Sequence, residues 1–483
     1  MNITTLTIKE IEALYRDRKV TVEEVVKAFI DEINHHNKET NAVIEVFNDA
    51  LLCARSLDQR RENEEELGRL GGIPIILKDN ILIQGKIASA GSKTLEHYKA
   101  SYTATVVERL LAADAIILGR ANMDEFAMGG STEHSIYGPT KNPWNTEKIA
   151  GGSSGGSVAA VAAGFAPVAL GSDTGGSVRQ PAALCGVSGL KPTYGRVSRY
   201  GLMAMASSLD QISPCARTVE DIMRVMQVIE GKDVKDANTT VLDSTSAPEI
   251  IEKNIKGLRV GVPKEYFIEG IDEGVRAAIE QVIETLKAEG AEIEEISLPH
   301  TKHAIATYYL IMASEVSSNM ARYDGVRYGY SSMGGRLQES YERTRGEGLG
   351  DEVKRRILLG TFALSAGYYD AYYKKALQVR SLLKKDFDDA FKRVDIILTP
   401  TTPRVAWDLG SKINDPLQMY LEDIFTAPVS LATVPAISLP CGEVEGLPVG
   451  VQFIAKPFNE EVLYRAGATY QSLTDWHARR PFA

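Results

Sequence analysis

The chain has 483 residues, 44% of them hydrophobic and 24% charged, which excludes wholesale disorder and suffices for a large core without staples. A net charge of −10 argues against a chain that grips nucleic-acid phosphates by itself. Four widely spaced cysteines (Cys53, Cys185, Cys215, Cys441), with no CxxC pair, form neither a disulfide framework nor a zinc site.

Reduced thiols and a charged start without an apolar signal segment predict a cytoplasmic protein. No apolar run reaches the about 18 residues of a membrane span. Residues 6–36 predict two amphipathic helices. Thr21 and Glu24 are spaced as a capping box, and Val25, Val26, Phe29 and Ile33 share a face. A charged helix is predicted next, ending near Arg69 to Gly71. The apolar run Ile73 to Leu77, closed by Lys78, reads as a buried strand. Residues 103–113 read as helix and Ala115 to Leu118 as strand. Residues 129–215 are rich in Gly and Ser. Alternation then resumes with a strand over 258–262, a helix over 272–289 and a strand over 292–298. Long helices are expected over 302–322 and 351–391, and a strand over 394–398. Residues 435–455 read as a hairpin turning at Glu443 to Leu447, and 459–473 as a last helix. The polar stretch 230–255 reads as a surface excursion or a domain boundary. The pattern predicts an α/β fold: a large mixed β-sheet covered by helices on both faces. One domain is expected over 1–483, with a helical N-terminal extension over about 1–68.

Two Gly/Ser segments carry the chemistry. Residues 151–157 read GGSSGGS and precede an Ala-rich helix. Taken alone they fit a flexible loop, a phosphate cradle or a nucleophile loop. No GxxxxGK[ST] or strand-linked GxGxxG supports the cradle. GxSxG at 151–155 matches a nucleophile elbow, but WNTEKIA makes a poor strand before it. Residues 171–182, GSDTGGSVRQPA, set Ser177 beside a row of backbone N–H groups suited to an oxyanion. Two such loops flanking one short helix are hard to explain as linkers. A serine nucleophile needs a base. The seven histidines (His35, His36, His97, His134, His300, His303, His477) lie in charged or loop-like surroundings. His300 and His303 lack a third metal ligand nearby. Lys78 ends an apolar strand, where α/β sheets bind ligands, and a buried lysine loses its proton readily.

With these residues in view, the chain resembles the amidase signature family: Lys78 in GIPIILKDN, Ser153 in GGSSGGS and Ser177 in GSDTGGSVRQPA. The resemblance runs from about residue 6 to 473. The segments NMDEFAMGGST, KPTYGRVSRYGL, SSLDQISP, ARYDGVRYGY and EVKRRILLGTFALSAGYYDAYYKKA resemble the family's glutaminase branch, which serves three-subunit tRNA-dependent amidotransferases. The resemblance implies Ser177 as nucleophile, Ser153 as relay on a cis peptide bond, and Lys78 as base. It implies an oxyanion hole from the Thr174, Gly175 and Gly176 N–H groups, and a glutamine pocket holding Arg356, Asp423 and Tyr308. It implies partner subunits B and C, tRNA bound mainly through a partner, and no cofactor in this chain, with ATP and Mg used on the partner subunit. A stand-alone amidase for another small amide, and a silent scaffold subunit, are the alternatives.

Overall fold

Eleven strands of this protein join into one mixed sheet, in a computed structural model that describes residues 2–240, 251–267 and 270–482. In chain order the strands are β1 (Val43–Val46), β2 (Pro74–Lys78), β3 (Ile116–Ala121), β4 (Lys141–Asn142), β5 (Asn145–Ile149), β6 (Val168–Asp173), β7 (Ser188–Lys191), β8 (Gln211–Ala216), β9 (Arg259–Pro263), β10 (Glu292–Ile296), β11 (Ile396–Pro400), β12 (Ala436–Val444) and β13 (Leu447–Ala455). The sheet order is β1-β3-β2-β6-β8-β7-β12-β13-β11-β9-β10, and β4 pairs only with β5. β3, β2 and β6 run parallel, as do β11, β9 and β10; the strands between them are antiparallel. β2 and β6 are buried along their whole length, as their continuous apolar runs require between two helical layers.

The first helices, Ile8–Arg16 and Val22–Thr40, start at capping boxes built by Thr7 with Glu10 and Thr21 with Glu24. Ile8, Ile11, Val25, Val26 and Phe29 enter the same apolar core as β2, β3 and β6. Residues 1–68 are not helical throughout, because β1 joins the main sheet there beside β3. β1 is four residues long with only Val43 buried, so alternation is too weak to mark it. The charged helix after it covers Ala50–Glu62 and stops well short of Gly71.

The long helix expected over 351–391 is two, Asp351–Leu364 and Lys375–Ala390. Ser365 folds its hydroxyl back onto the Phe362 carbonyl, Gly367 takes φ +87°, and one π-turn covers Asp370–Lys374. A helix over Leu337–Gly348 and the strands β7 and β8 were not visible as periodic patterns. In the polar stretch, 230–240 packs back on the body: the Thr105 and Ser198 hydroxyls donate to Asp233. Residues 241–250 lie outside the described residues. A second apolar cluster joins helix Ala304–Asn319 to helix Asp351–Leu364 through Tyr308, Met312, Val316 and Val353. No helix among the described residues is long and apolar enough to cross a membrane.

Candidate active site

β2 and β6 are neighbouring parallel strands, and their carboxyl ends carry Lys78 and Asp173. The loop 151–154 enters from the β4–β5 hairpin and opens helix Gly155–Ala162. The loop 174–178 leaves β6 and opens helix Arg179–Cys185. Ser154 N–H donates to the Ser177 carbonyl at 3.1 Å, so the two Gly/Ser loops are stitched together.

Lys78 has no accessible surface. Its Nζ lies 2.8 Å from Ser153 Oγ, 2.8 Å from Ser154 Oγ and 2.9 Å from Ser172 Oγ. Burial lowers its pKa to about 7, against a smaller opposing pull from Asp124, Asp173 and Asp210. The supporting serines are themselves committed. Ser154 gives its proton to the Ser172 carbonyl at 3.0 Å, and Ser172 Oγ accepts from Asn80 Nδ2 at 3.1 Å. A neutral amine has two N–H donors and one lone pair. Spending the donors on Ser154 and Ser172 leaves the lone pair for the Ser153 hydroxyl proton.

Ser153 is fully buried, and the Gly152–Ser153 peptide bond is cis. Its carbonyl accepts from Asp124 N–H at 3.2 Å, and Gly152 N–H donates to Gln180 Oε1 at 3.0 Å. A Cβ on Gly152 would stand 2.3 Å from Asp124 Oδ2, so only glycine fits. This closeness explains the Gly/Ser string, whose residues 151–157 are all buried rather than looped into solvent. It also sets aside the elbow: β5 lies outside the main sheet, and Ser153 faces inward to Lys78.

Ser177 is the half-buried member of the set. Its loop is held by Asp173, whose carboxylate accepts from Val178 N–H and Arg179 N–H at 3.2 Å each and from Arg179 Nε and Nη2 at 3.0 and 2.9 Å. Among the described residues the N–H groups of Gly175, Gly176 and Ser177 have no main-chain or side-chain acceptor. Thr174 anchors the row: its hydroxyl donates to Asp210 at 2.8 Å. Tyr308 packs on Gly175 so closely that a Cβ there would lie 2.5 Å from the phenol.

Arg356 is buried on helix Asp351–Leu364, with Nε donating to Glu352 at 2.8 Å. Burial weakens its charge, but Glu352 together with Tyr309, Tyr420 and Tyr308 outweighs this and keeps it protonated. Half-buried Asp423 accepts from Tyr309 OH at 2.9 Å, and burial pushes its carboxyl up to about 7 despite Tyr309 and Arg356. Tyr309 thus holds Asp423, while its neighbour Tyr308 packs on Gly175. Sequence reasoning passed over Ser154, Ser172, Asn80, Asp210, Tyr309, Glu352 and Tyr420. Ser154, Ser172 and Asn80 lie in the motif segments themselves, and Glu352 sits one helical turn before Arg356, which was the available signal. Asp210, Tyr309 and Tyr420 find their partners only through tertiary contacts. None of the seven histidines is hydrogen-bonded to Lys78, Ser153 or Ser177 among the described residues. No metal-ligating cluster is found among those residues either. A surface recess of about 590 Å³ between helix Val22–Thr40 and β1 contains none of the cluster. A smaller one of about 270 Å³ reaches Asp210.

An amidase family model matches residues 24–464. The chain is 53% identical over 477 residues to the A subunit of the glutamyl-tRNA(Gln) amidotransferase of Chloroflexus aggregans, covering 99% of this chain and 98% of that one. It is 51% identical to the corresponding protein of the same name from Geobacillus kaustophilus, over the full length of both. The crystal structure of the Thermotoga maritima counterpart superposes with TM-score 0.81 at 42% identity, covering 97% of this chain and 95% of that one. The peptide amidase of Stenotrophomonas maltophilia gives 0.82 at 28% identity, covering 98% of each. By sequence across its length and by fold, this chain belongs to the amidase family.

Proposed function

We propose that the protein is the glutaminase subunit of a glutamyl-tRNA(Gln) amidotransferase, with Ser177 as nucleophile, Ser153 as proton relay and Lys78 as base. The observation that carries the chemistry is the Lys78 amine, buried without a salt bridge among the described residues and aimed at Ser153 Oγ at 2.8 Å. Ser177 Oγ attacks the side-chain amide carbon of glutamine. Its proton passes to Ser153 as the Ser153 proton passes to Lys78. The oxyanion is met by N–H groups of the Thr174, Gly175 and Gly176 row. Lys78 returns the proton through Ser153 to the leaving nitrogen, so ammonia departs and a γ-glutamyl ester remains on Ser177. Water repeats the sequence and releases glutamate.

Arg356 takes the α-carboxylate, Asp423 the α-ammonium, and Tyr308 lines the pocket between them and the oxyanion row. The amidotransferase relatives described above are each one subunit of a larger enzyme, which supports a complex with subunits B and C. Acidic balance and the lack of a phosphate-binding motif support ATP, Mg and most tRNA contacts lying on a partner. Ammonia then reaches an activated glutamyl ester on that partner in the cytoplasm. The test mixes chain, glutamine, ATP and Glu-tRNA(Gln), with and without partner subunits. Glutamate release that needs Ser177, and amidated tRNA only with partners, is expected. Amidated tRNA from this chain alone, or no glutamine turnover in the complex, defeats the reading.

A further inference from the structure

The Arg356 fork is aimed by a pair of groups from two different elements. Glu352 lies one helical turn before Arg356 and takes its Nε at 2.8 Å. Tyr420, at the end of helix Pro416–Leu421, donates its hydroxyl to the same Glu352 Oε1 at 2.9 Å. Arg355 closes on the other oxygen, Oε2. Burial raises the Glu352 carboxyl, but the Arg356 charge and the hydrogen bonds from Arg356 and Tyr420, with Arg355, together hold it below the usual carboxylate range. Glu352 is thus a permanent anion with its orientation locked.

The aromatic rings complete the setting. Tyr309 and Tyr420 stack at 3.8 Å, and the Arg356 guanidinium lies 5.5 Å from each centroid. Tyr309 in turn holds Asp423 at 2.9 Å. Because Glu352 occupies Nε, the Nη1 and Nη2 end of the fork remains for a ligand. Its only other described partner is the Met312 sulfur, 3.7 Å from Nη1 and a weak acceptor. A carboxylate matches that end in the two-bond geometry guanidinium favours.

We propose that Glu352 and Tyr420 are positioning residues that aim Arg356, and that this aim selects amides bearing a free α-carboxylate. The inference rests on the glutamine reading above and adds to it the source of selectivity. Arg356 with its aim lost still carries charge, but its fork no longer meets the carboxylate squarely.

The experiment compares glutamine with 4-aminobutanamide, which keeps the amide and the ammonium but lacks the carboxylate. The full chain assembled with its partner subunits is assayed for ammonia release. Glu352→Gln and Tyr420→Phe should each lower the ratio of kcat/KM for glutamine over 4-aminobutanamide about 10–100-fold, the scale of one charge-assisted hydrogen bond. Most of the change should fall in KM for glutamine. Adding Glu352→Gln to Arg356→Ala should lower the ratio no further than Arg356→Ala alone, since both act through one fork. Tyr420→Phe keeps the ring and so guards against a variant that fails to fold. If both substrates weaken equally, or if the double variant adds the two losses, the positioning role is overturned. Wild-type complex inert toward glutamine would instead defeat the glutaminase reading itself, and this inference with it.

Discussion

Lys78 Nζ lies 2.8 Å from Ser153 Oγ at the buried end of β2. Its other partners among the described residues are the Ser154 and Ser172 hydroxyls and, at 3.4 Å, the Ser172 carbonyl, and no carboxylate there bonds to it directly. Burial lowers its pKa to about 7. As the proposed base, Lys78 works only when neutral. Turnover should therefore rise with pH through about 7 and level off above it. Lys78→Ala should lose about 10²–10⁴-fold in kcat. A kcat profile flat from pH 5.5 to 8.5 (about one and a half units either side of that value) would remove Lys78 from this role.

Asp423 adds a second limb. Burial lifts its carboxyl to about 7 in the free protein. Below that pH it is neutral and cannot hold an ammonium group. The KM for glutamine should climb as pH falls, so kcat/KM should drop with a slope near 2 while kcat drops with a slope near 1. Asp423→Asn should remove one unit of slope from kcat/KM. Identical slopes for both parameters would place Asp423 outside the pocket.

Ser177 and Ser153 separate by what they trap. Stopped mid-reaction, the wild-type chain should carry the γ-glutamyl ester on Ser177 by peptide mass spectrometry. Ser177→Ala should release no ammonia from glutamine. Ser153→Ala should retain slow acylation, because the attacking oxygen and the N–H row remain. An ester found on Ser153 would exchange the two roles.

Asp210 meets the N–H row through Thr174, whose hydroxyl donates to it at 2.8 Å. Burial raises the Asp210 carboxyl to about 6, and N–H groups of Ala206 and Met205 and the Thr174 hydroxyl limit that rise. Asp210→Ala should loosen the N–H row. The expected cost is about 10–100-fold in kcat with little change in KM, somewhat less than outright loss of an oxyanion donor. A loss confined to KM would show that Thr174 serves binding instead.

Asp173 and Arg179 have no accessible surface and bond side-on, through Nε and Nη2 of one guanidinium edge. Burial raises the Asp173 carboxyl, but the charge and hydrogen bonds of Arg179, with Lys191, together hold it below the ordinary range. A lowered carboxyl contributes stability at neutral pH that is lost as pH falls below that range. Asp173→Asn should cost about 3–5 kcal/mol, because it strands a buried guanidinium charge. Urea melts at pH 7 measure this, and a cost under about 1 kcal/mol would contradict the pair's importance.

The sequence by itself determined the α/β alternation and the strand that ends in Lys78. It also marked the two Gly/Ser loops and the capped N-terminal helices. Each is a local property: an apolar run, a 3.6-residue period, a cap, or a backbone that tolerates no side chain. β1 escaped notice because four residues with one buried position carry almost no period. The break after Leu364 is a Ser and Gly effect that helix propensity on either side conceals. Tertiary structure alone decided which neighbours the chemistry has. Asp210 meets Thr174 across 36 positions of chain, Tyr420 meets Glu352 across 68, and Tyr309 meets Asp423 across 114. Those contacts depend on how helices pack on the sheet and on each other, and a one-dimensional pattern does not encode that packing. The low pKa of Lys78 has the same origin, since burial is a property of everything folded around a residue and not of the residues beside it.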